Sequence, residues 1–284
     1  MPWSPELFSA PVLQEVLDKR RRDSLLSVPF FDGLLAGEPD ALVESFAGEP
    51  ALHDPIRGHV KGERAFRDFV RQTSEWLESC NATVEDVHHV VLGDRGFEEV
   101  VLHHDGASGR VELPWAGVAD HASDGRIEEI RIYYSNWPLT GRHAIRPPLL
   151  QPDPDLREAD VVAAYQRALA DGDVAAVVAA FEPDGYAREP AGGSYVHRGL
   201  DDLRAFYELL FSNGGGIPLE HCGLIDDGRA CALEYNVVQW GTTQLPPQAG
   251  IAVYVRGESG KLAAARIYDD ADPPLRRSQP WKGA

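Results

Sequence analysis

Positive charge is scarce in this chain. Its 27 Lys and Arg stand against 45 Asp and Glu, for a formal net charge of −18. A surface so acidic repels phosphate backbones, which excludes nucleic acid as a partner. The one basic run, Lys19-Arg20-Arg21-Arg22, reads as a solvated helix end. Lysine is rarer than arginine, 4 against 23, a bias that with the many Ala and Gly hints at a GC-rich bacterial genome. Cysteine is also sparse: Cys80, Cys222 and Cys231 have no metal-ligand spacing. An odd count of this kind reads as reduced thiols in a cytoplasmic protein. No apolar run approaches the roughly 18 residues of a membrane span, so no membrane partner is expected. The first residues, which include Glu6 and Glu15, lack the basic-then-apolar order of a signal peptide. Gly214-Gly215-Gly216 has no following helix or Lys, so it is a loop and not a phosphate cradle. His88-His89 and His103-His104 are adjacent pairs. Neighbours on a strand point to opposite faces, so neither pair chelates one ion, and no metal is expected.

What is present is a repeat. The 284-residue length favours about two domains, and a shift of 135 residues superposes the two halves at several places. Leu35-Ala36-Gly37 meets Ala170-Asp171-Gly172, Phe46 meets Phe181, and Asp54-Pro55 meets Glu189-Pro190. Gly125-Arg126-Ile127 meets Gly260-Lys261-Leu262, Arg131-Ile132-Tyr133 meets Arg266-Ile267-Tyr268, and Pro138 meets Pro273. The first copy is two residues shorter between Pro55 and Gly62, which pairs with Gly199. Two copies of so long a period are a duplicated domain. The expected organisation is a helical extension over 1–22, a first domain over 23–145, a proline-rich linker over 146–157, a second domain over 158–275 and a tail over 276–284. With 43% apolar residues, each copy can bury a core.

Within each copy the pattern runs from helices to strands. In the second, Val161, Val162, Tyr165, Ala168 and Leu169 recur at helical spacing, and Gly172 ends the helix. Asp173 caps a short helix over 174–181, and a third covers 200–211. Strands follow over 222–225, 230–240, 250–256 and 261–269, with hairpin turns at Asp227-Gly228 and Ser259-Gly260. The first copy repeats this with helices over 25–35, 40–46 and 63–78 and strands over 87–92, 97–103, 110–119 and 126–134. The fold class is α+β: two tandem cone-shaped domains, each with three helices packed on a curved antiparallel sheet.

Particular motifs resemble a known superfamily. Phe181 through Glu189-Pro190 is similar to the Phe, acidic turn, short strand and acid-Pro pair of the nuclear transport factor two, ketosteroid isomerase and SnoaL-like polyketide cyclase proteins. Gly199 to Phe206 resembles their Gly-x-x-x-[Ile/Leu]-Arg-x-Phe helix start, and Arg266-Ile267-Tyr268-Asp269 resembles their closing strand. The first copy carries the same marks as Phe46, His53-Asp54-Pro55, Gly62-x-x-x-Phe66-Arg67-x-Phe69 and the stretch 125–134. This family spans enzymes, binding modules and transport adaptors, so fold alone does not fix function.

The resemblance implies catalytic candidates. The acid of the acid-Pro pair is the general base in ketosteroid isomerases, here Glu189 or Asp54. Their helix tyrosine, seven residues before a terminating Gly, donates to an oxyanion; Tyr165 matches it, and Phe30 replaces it in the first copy. Their second donor, an acid on the third strand, is absent, with Gly117 and Ala252 at those positions. Strand alternation adds Asp269: if Ile130, Ile132 and Tyr134 face the cone, so do Ala265, Ile267 and Asp269. Burial and a neighbouring Glu189 would raise the proton affinity of that acid. His53, opposite in parity to Asp54, faces outward. Trp115, Tyr134, Tyr235 and Trp240 are candidate pocket walls suited to flat ligands.

These expectations favour a cofactor-independent acid/base enzyme acting on a small apolar carbonyl compound, polyketide- or steroid-like, as isomerase, dehydratase or aldol-type cyclase. Epoxide hydrolysis is a further alternative, weakened because its Asp-Arg-Asp network lacks an Arg of the right parity. The alternative of a different class is a non-catalytic ligand-binding or assembly module. The two copies would form an internal pseudo-dimer, with a further homodimer left open.

Overall fold

A computed structural model of the chain describes residues 39–106, 109–193 and 195–270. The expected helices over 1–22 and 25–35, with Phe30, and the tail over 276–284 lie outside the described residues. The chain divides between Tyr134 and Ser135 into two compact units. Each unit carries one copy of the repeat.

The first unit contains α1 (Pro39–Glu44), β1 (Ala51–Asp54), β2 (Gly58–Lys61), α2 (Glu63–Ser79), β3 (Thr83–Leu92), β4 (Arg95–Gly106), β5 (Gly109–His121) and β6 (Ile127–Tyr133). The second contains the short α3 (Trp137–Thr140), then α4 (Asp160–Asp171), α5 (Val174–Ala179), β7 (Phe181–Arg188), β8 (Val196–Arg198) and α6 (Leu200–Leu210). It ends with β9 (Leu219–Asp226), β10 (Ala230–Trp240), β11 (Thr243–Arg256) and β12 (Leu262–Tyr268). The sheets have the same plan, β2-β1-β6-β5-β4-β3 and β8-β7-β12-β11-β10-β9. The α+β class and the tandem copies are as the sequence implies. The sheets are mixed where an antiparallel sheet was expected: β1 pairs parallel with β6, and β7 with β12. The chain passes through a helix and a long meander before its last strand returns beside its first, which sets that direction.

In the second unit α4 buries Val162, Tyr165, Gln166 and Leu169, the i, i+3, i+4 and i+7 stripe of an amphipathic helix. Gly172 closes it in the left-handed conformation at φ +70°. The Asp173 carboxylate then accepts the Ala176 N–H at 3.0 Å and starts α5. The α4 helix itself begins at Asp160 without a side-chain cap, because Glu158 is drawn into an ion pair with His221 instead. Leu203 and Tyr207 of α6 join Tyr165, Phe181, Leu233 and Tyr254 in one core. Register shifts in β10, at Glu234/Tyr235 and at Val237/Gln239, are bulges that bend the sheet around these helices.

The proline-rich stretch is fastened to the second unit. The Arg146 carbonyl accepts from Ala249 N–H at 2.9 Å, the Leu150 carbonyl from the Asn236 amide at 3.2 Å, and Asp153 N–H donates to the His221 carbonyl at 2.8 Å. The glycine-rich loop also has a structural task. Ile217 N–H donates to the Leu169 carbonyl at 2.8 Å, which lays Gly216 against the end of α4. A Cβ on Gly216 would lie 2.1 Å from the Leu169 oxygen and 2.4 Å from the Ala170 oxygen. Both neighbours are backbone. Gly216→Ala is therefore expected to destabilise the fold by about 3 kcal/mol or more, read as a lower urea midpoint for the transition of the second unit; an unchanged midpoint would contradict this packing.

Candidate functional site

The curled sheet and helices of the second unit enclose a cavity of about 110 Å³, walled largely by apolar and aromatic side chains. Leu169, Phe206, Leu210, Ile217, Val237, Trp240 and Ile267 supply apolar surface. Four tyrosines line it as well, Tyr165, Tyr207, Tyr235 and Tyr254, together with Glu189, Asp269 and His143. Of the residues singled out from sequence, Glu189, Asp269, Tyr165, Tyr235 and Trp240 all border this one space. Asp54, Tyr134 and Trp115 belong to the first unit.

Each polar group at the cavity is held by a neighbour. The imidazole of His197 donates to Glu189 Oε1 at 2.7 Å, and both residues are buried. The His197 ring stacks on Phe206 with centroids 4.1 Å apart. The Tyr235 hydroxyl donates to Asp269 Oδ2 at 2.9 Å. Burial, and after it the Asp269 charge, pushes the Tyr235 hydroxyl well above its ordinary range, so the proton stays on the phenol. Tyr165 and Tyr207 share a hydroxyl–hydroxyl bond of 2.8 Å. Burial raises Tyr165 to about 12, against a small lowering by that bond. Tyr207 and Tyr254 are likewise raised by burial. All four phenols therefore stay protonated, as hydrogen-bond donors require.

Gly250 makes room for this arrangement. It pairs across the sheet with Tyr235, and a Cβ there would lie 2.6 Å from the Tyr235 ring and 2.9 Å from Asp269 Cβ. In the first unit the pair at these positions is Val100 and Trp115. Trp115 is buried and folds over Gly117, where a Cβ would meet the indole at 2.5 Å. The other equivalents are also apolar: Val60 stands for His197, Val70 for Tyr207 and Ala119 for Tyr254. Asp54 persists, buried, but it is engaged. Its Oδ1 accepts from Ile56 and Arg57 N–H at 2.9 and 2.8 Å, a turn closure, and its Oδ2 accepts the Tyr134 hydroxyl at 3.0 Å.

Sequence reasoning missed three contributors. His197 lies on β8, too short a strand to show a period. Asp270, given no role by the sequence reading, is buried. His143, from the segment between the copies, reaches the cavity wall and hydrogen-bonds Asp270 at 3.0 Å. Arg188 borders the cavity, but its guanidinium lies over the Tyr268 ring at 4.7 Å. In the first unit, His53, His59 and Glu129 bring one ligand atom each within 4.8 Å of one another. The two imidazoles are stacked, 4.3 Å apart with planes at 5°. Their lone pairs then lie side by side and do not converge, which is not a preformed tetrahedral site.

The SnoaL-like domain family matches residues 29–130 and again residues 162–265. Among solved structures, the chain is similar to a hypothetical protein of ketosteroid isomerase-like fold from Catenulispora acidiphila, in complex with trimethylamine. That likeness has 17% identity, 45% of this chain and 88% of that one covered, and a TM-score of 0.32. It is also similar to SalBIII, an epoxide hydrolase/cyclase-like enzyme with a role in pyran ring formation in the polyether salinomycin, at 18% identity, 43% and 88% coverage and TM-score 0.30. A cystatin-fold protein from Novosphingobium aromaticivorans gives 18% identity, 38% and 93% coverage and TM-score 0.33. No curated protein matches the chain. Among the described residues no helix is long and apolar enough to cross a membrane.

Two outcomes follow from the cavity wall. Tyr165 has a raised folded-state pKa, so its contribution to stability is complete below pH about 10, the unfolded value, and is lost as pH rises through about 12. Melting followed by circular dichroism should show the midpoint falling across that window, with a shallower fall in Tyr165→Phe, which cannot ionise. Gly250→Ala should cost about 1–3 kcal/mol of stability in urea titrations, because Tyr235 and Asp269 cannot both stay in place.

Proposed function

Because this chain belongs to the SnoaL-like family, in two tandem copies, we propose that the cavity of its second copy performs cofactor-independent acid/base chemistry on a compact carbonyl compound. The observation that carries this is the convergence of carboxylates from two separate strand ends, Glu189 and Asp269, on one apolar hollow whose phenols stay protonated. A phenol near a carboxylate in such a hollow steadies the charge that develops on oxygen. Asp269 is the first choice of base, since Tyr235 fixes its orientation. Glu189 is the partner acid/base group, fixed by His197. The reaction class is isomerisation, dehydration or aldol-type cyclisation, each of which begins by taking a proton from carbon beside a carbonyl.

The volume bounds the substrate. About 110 Å³ is of the order of the roughly 150 Å³ that holds a benzene ring. It is below the roughly 300–1,000 Å³ of drug-sized pockets. A one-ring ketone or enone fits this scale better than a steroid. The first copy, with Trp115 and four further apolar replacements, acts as a structural partner. A second reading, a ligand-binding module without turnover, is favoured by one observation: Tyr165 and Tyr207 satisfy each other's hydroxyls.

The test is deuterium uptake by 2-cyclohexenone and related one-ring ketones in heavy water, followed by proton NMR. Wild type should exchange the protons beside the carbonyl faster than buffer. Asp269→Asn should lose about 10²–10⁴-fold, and Glu189→Gln at least about tenfold. Wild-type exchange that survives both substitutions would refute the assignment of base. Binding without any exchange would favour the second reading.

A further inference from the structure

The segment that precedes the second repeat is organised around one buried carboxylate. Asp270 follows β12 and is 6% exposed. Its Oδ1 accepts the Ser135 hydroxyl at 2.6 Å, the Asn136 N–H at 3.1 Å and the His143 Nδ1 at 3.0 Å, and its Oδ2 accepts the Ala144 N–H at 2.7 Å. Trp137 N–H donates to the Ser135 hydroxyl oxygen at 3.1 Å, and the Trp137 ring stacks on His143, centroids 4.9 Å apart at 17°. The His143 ring is thus fixed twice, at one nitrogen and across one face.

That fixation has a chemical consequence. A carboxylate only accepts, so the shared proton sits on Nδ1, and in a neutral ring that leaves a lone pair on Nε2. The His143 side chain is nine-tenths buried and lines the cavity. Its Nε2 is shielded from water and has no hydrogen-bond partner among the described residues. A buried acceptor left in this state is costly, and the missing partner is a donor. The tyrosine hydroxyls and the carboxylates of the wall have partners within the protein; the His143 Nε2 points to a ligand.

We propose that His143 is the ligand-side proton acceptor of the cavity, positioned by Asp270, and that the ligand is a compact ring bearing a hydroxyl, as an enol or phenol. The ligand O–H donates to Nε2. In the chemical step the O–H bond breaks, its electron pair stays on oxygen and the N–H bond forms on Nε2. The imidazolium so made is offset by the Asp270 charge, the arrangement by which an acid orients and supports a catalytic histidine. The role belongs to this chain's own segment between the repeats, and the repeat has no equivalent of it. It rests on the cavity being a ligand site and not on turnover at Asp269.

Phenol and its methyl ether anisole are suitable probes, since anisole lacks the donor, and the His143→Phe comparison separates the donor from the added methyl. Calorimetry should find phenol bound at least about tenfold more tightly than anisole, and His143→Phe should erase that preference. Nitrogen-15 spectra of the wild-type imidazole supply a readout independent of any variant. They should report Nδ1 protonated and Nε2 unprotonated in the free protein, with the Nε2 signal shifting as phenol is added. Failure of wild type to bind phenol, equal affinity for both probes, an Nε2-protonated ring, or an Nε2 signal unmoved by phenol would each overturn the proposal. Phenol preference without deuterium exchange of ketones would leave it standing while the carbon-acid reading falls. Exchange dependent on Asp269 with no phenol preference would do the reverse.

Discussion

The parallel pairing of the first and last strands governs the rest of each unit. Strands that run the same way end at the same rim, so the residues just past their ends become neighbours however far apart they lie in sequence. In the second unit Arg188 pairs with Arg266, and the chain leaves β7 at Glu189 and β12 at Asp269. In the first unit Leu52 and His53 pair with Ile130 and Arg131. The groups at its rim, Asp54 and Tyr134, touch at 3.0 Å. An antiparallel return would have put these ends at opposite rims, and no two of the candidate acids would share a space. Proximity of the candidate acids is here a property of strand direction.

The same frame holds two different interiors. In the second unit the positions around the rim carry Tyr235, Tyr207, Tyr254, His197 and Glu189, which costs desolvation at every polar atom. The structure offsets much of that cost in pairs: His197 with Glu189, Tyr235 with Asp269, Tyr165 with Tyr207. In the first unit the matching places hold Val100, Val70, Ala119 and Val60, and Trp115 lies over Gly117. Such an interior gains stability from burial alone.

Much of this was legible before any coordinates. The constant shift of 135 residues located both copies and, through Glu189 and Asp54, both rims. Two-residue alternation along the closing strand placed Ile267 and Asp269 on the side where they lie. The pairing direction was missed because hydropathy alternation is the same in parallel and antiparallel strands. His143 was missed for a different reason: it precedes the second copy, so no repeat and no periodicity marks it. Asp270 was missed because parity tells only that it opposes Asp269. What fills the far side, here the Ser135 to Ala144 segment, is tertiary information. Tyr165 was read as an oxyanion donor, and its bond to Tyr207 depends on two helices meeting, which no single stretch encodes.

Those pairings also bear on how a ligand would be recognised. A donor entering the hollow meets Glu189 Oε1, Asp269 Oδ2 and the Tyr165–Tyr207 pair already engaged, so it shares its acceptor with a hydrogen bond present in the protein. The Nε2 of His143 exacts no such exchange, because nothing in the described protein occupies it. The strongest orientational preference of an incoming molecule should therefore come from the imidazole, with the carboxylates acting on whatever carbon that anchoring brings to them. Shape then does the rest: about 110 Å³ between Phe206, Trp240 and Ile267 accommodates one ring and little more. A ligand pinned at one oxygen in so small a space has few ways to turn, and the rim formed by the two parallel strand ends lies within reach of the same cavity.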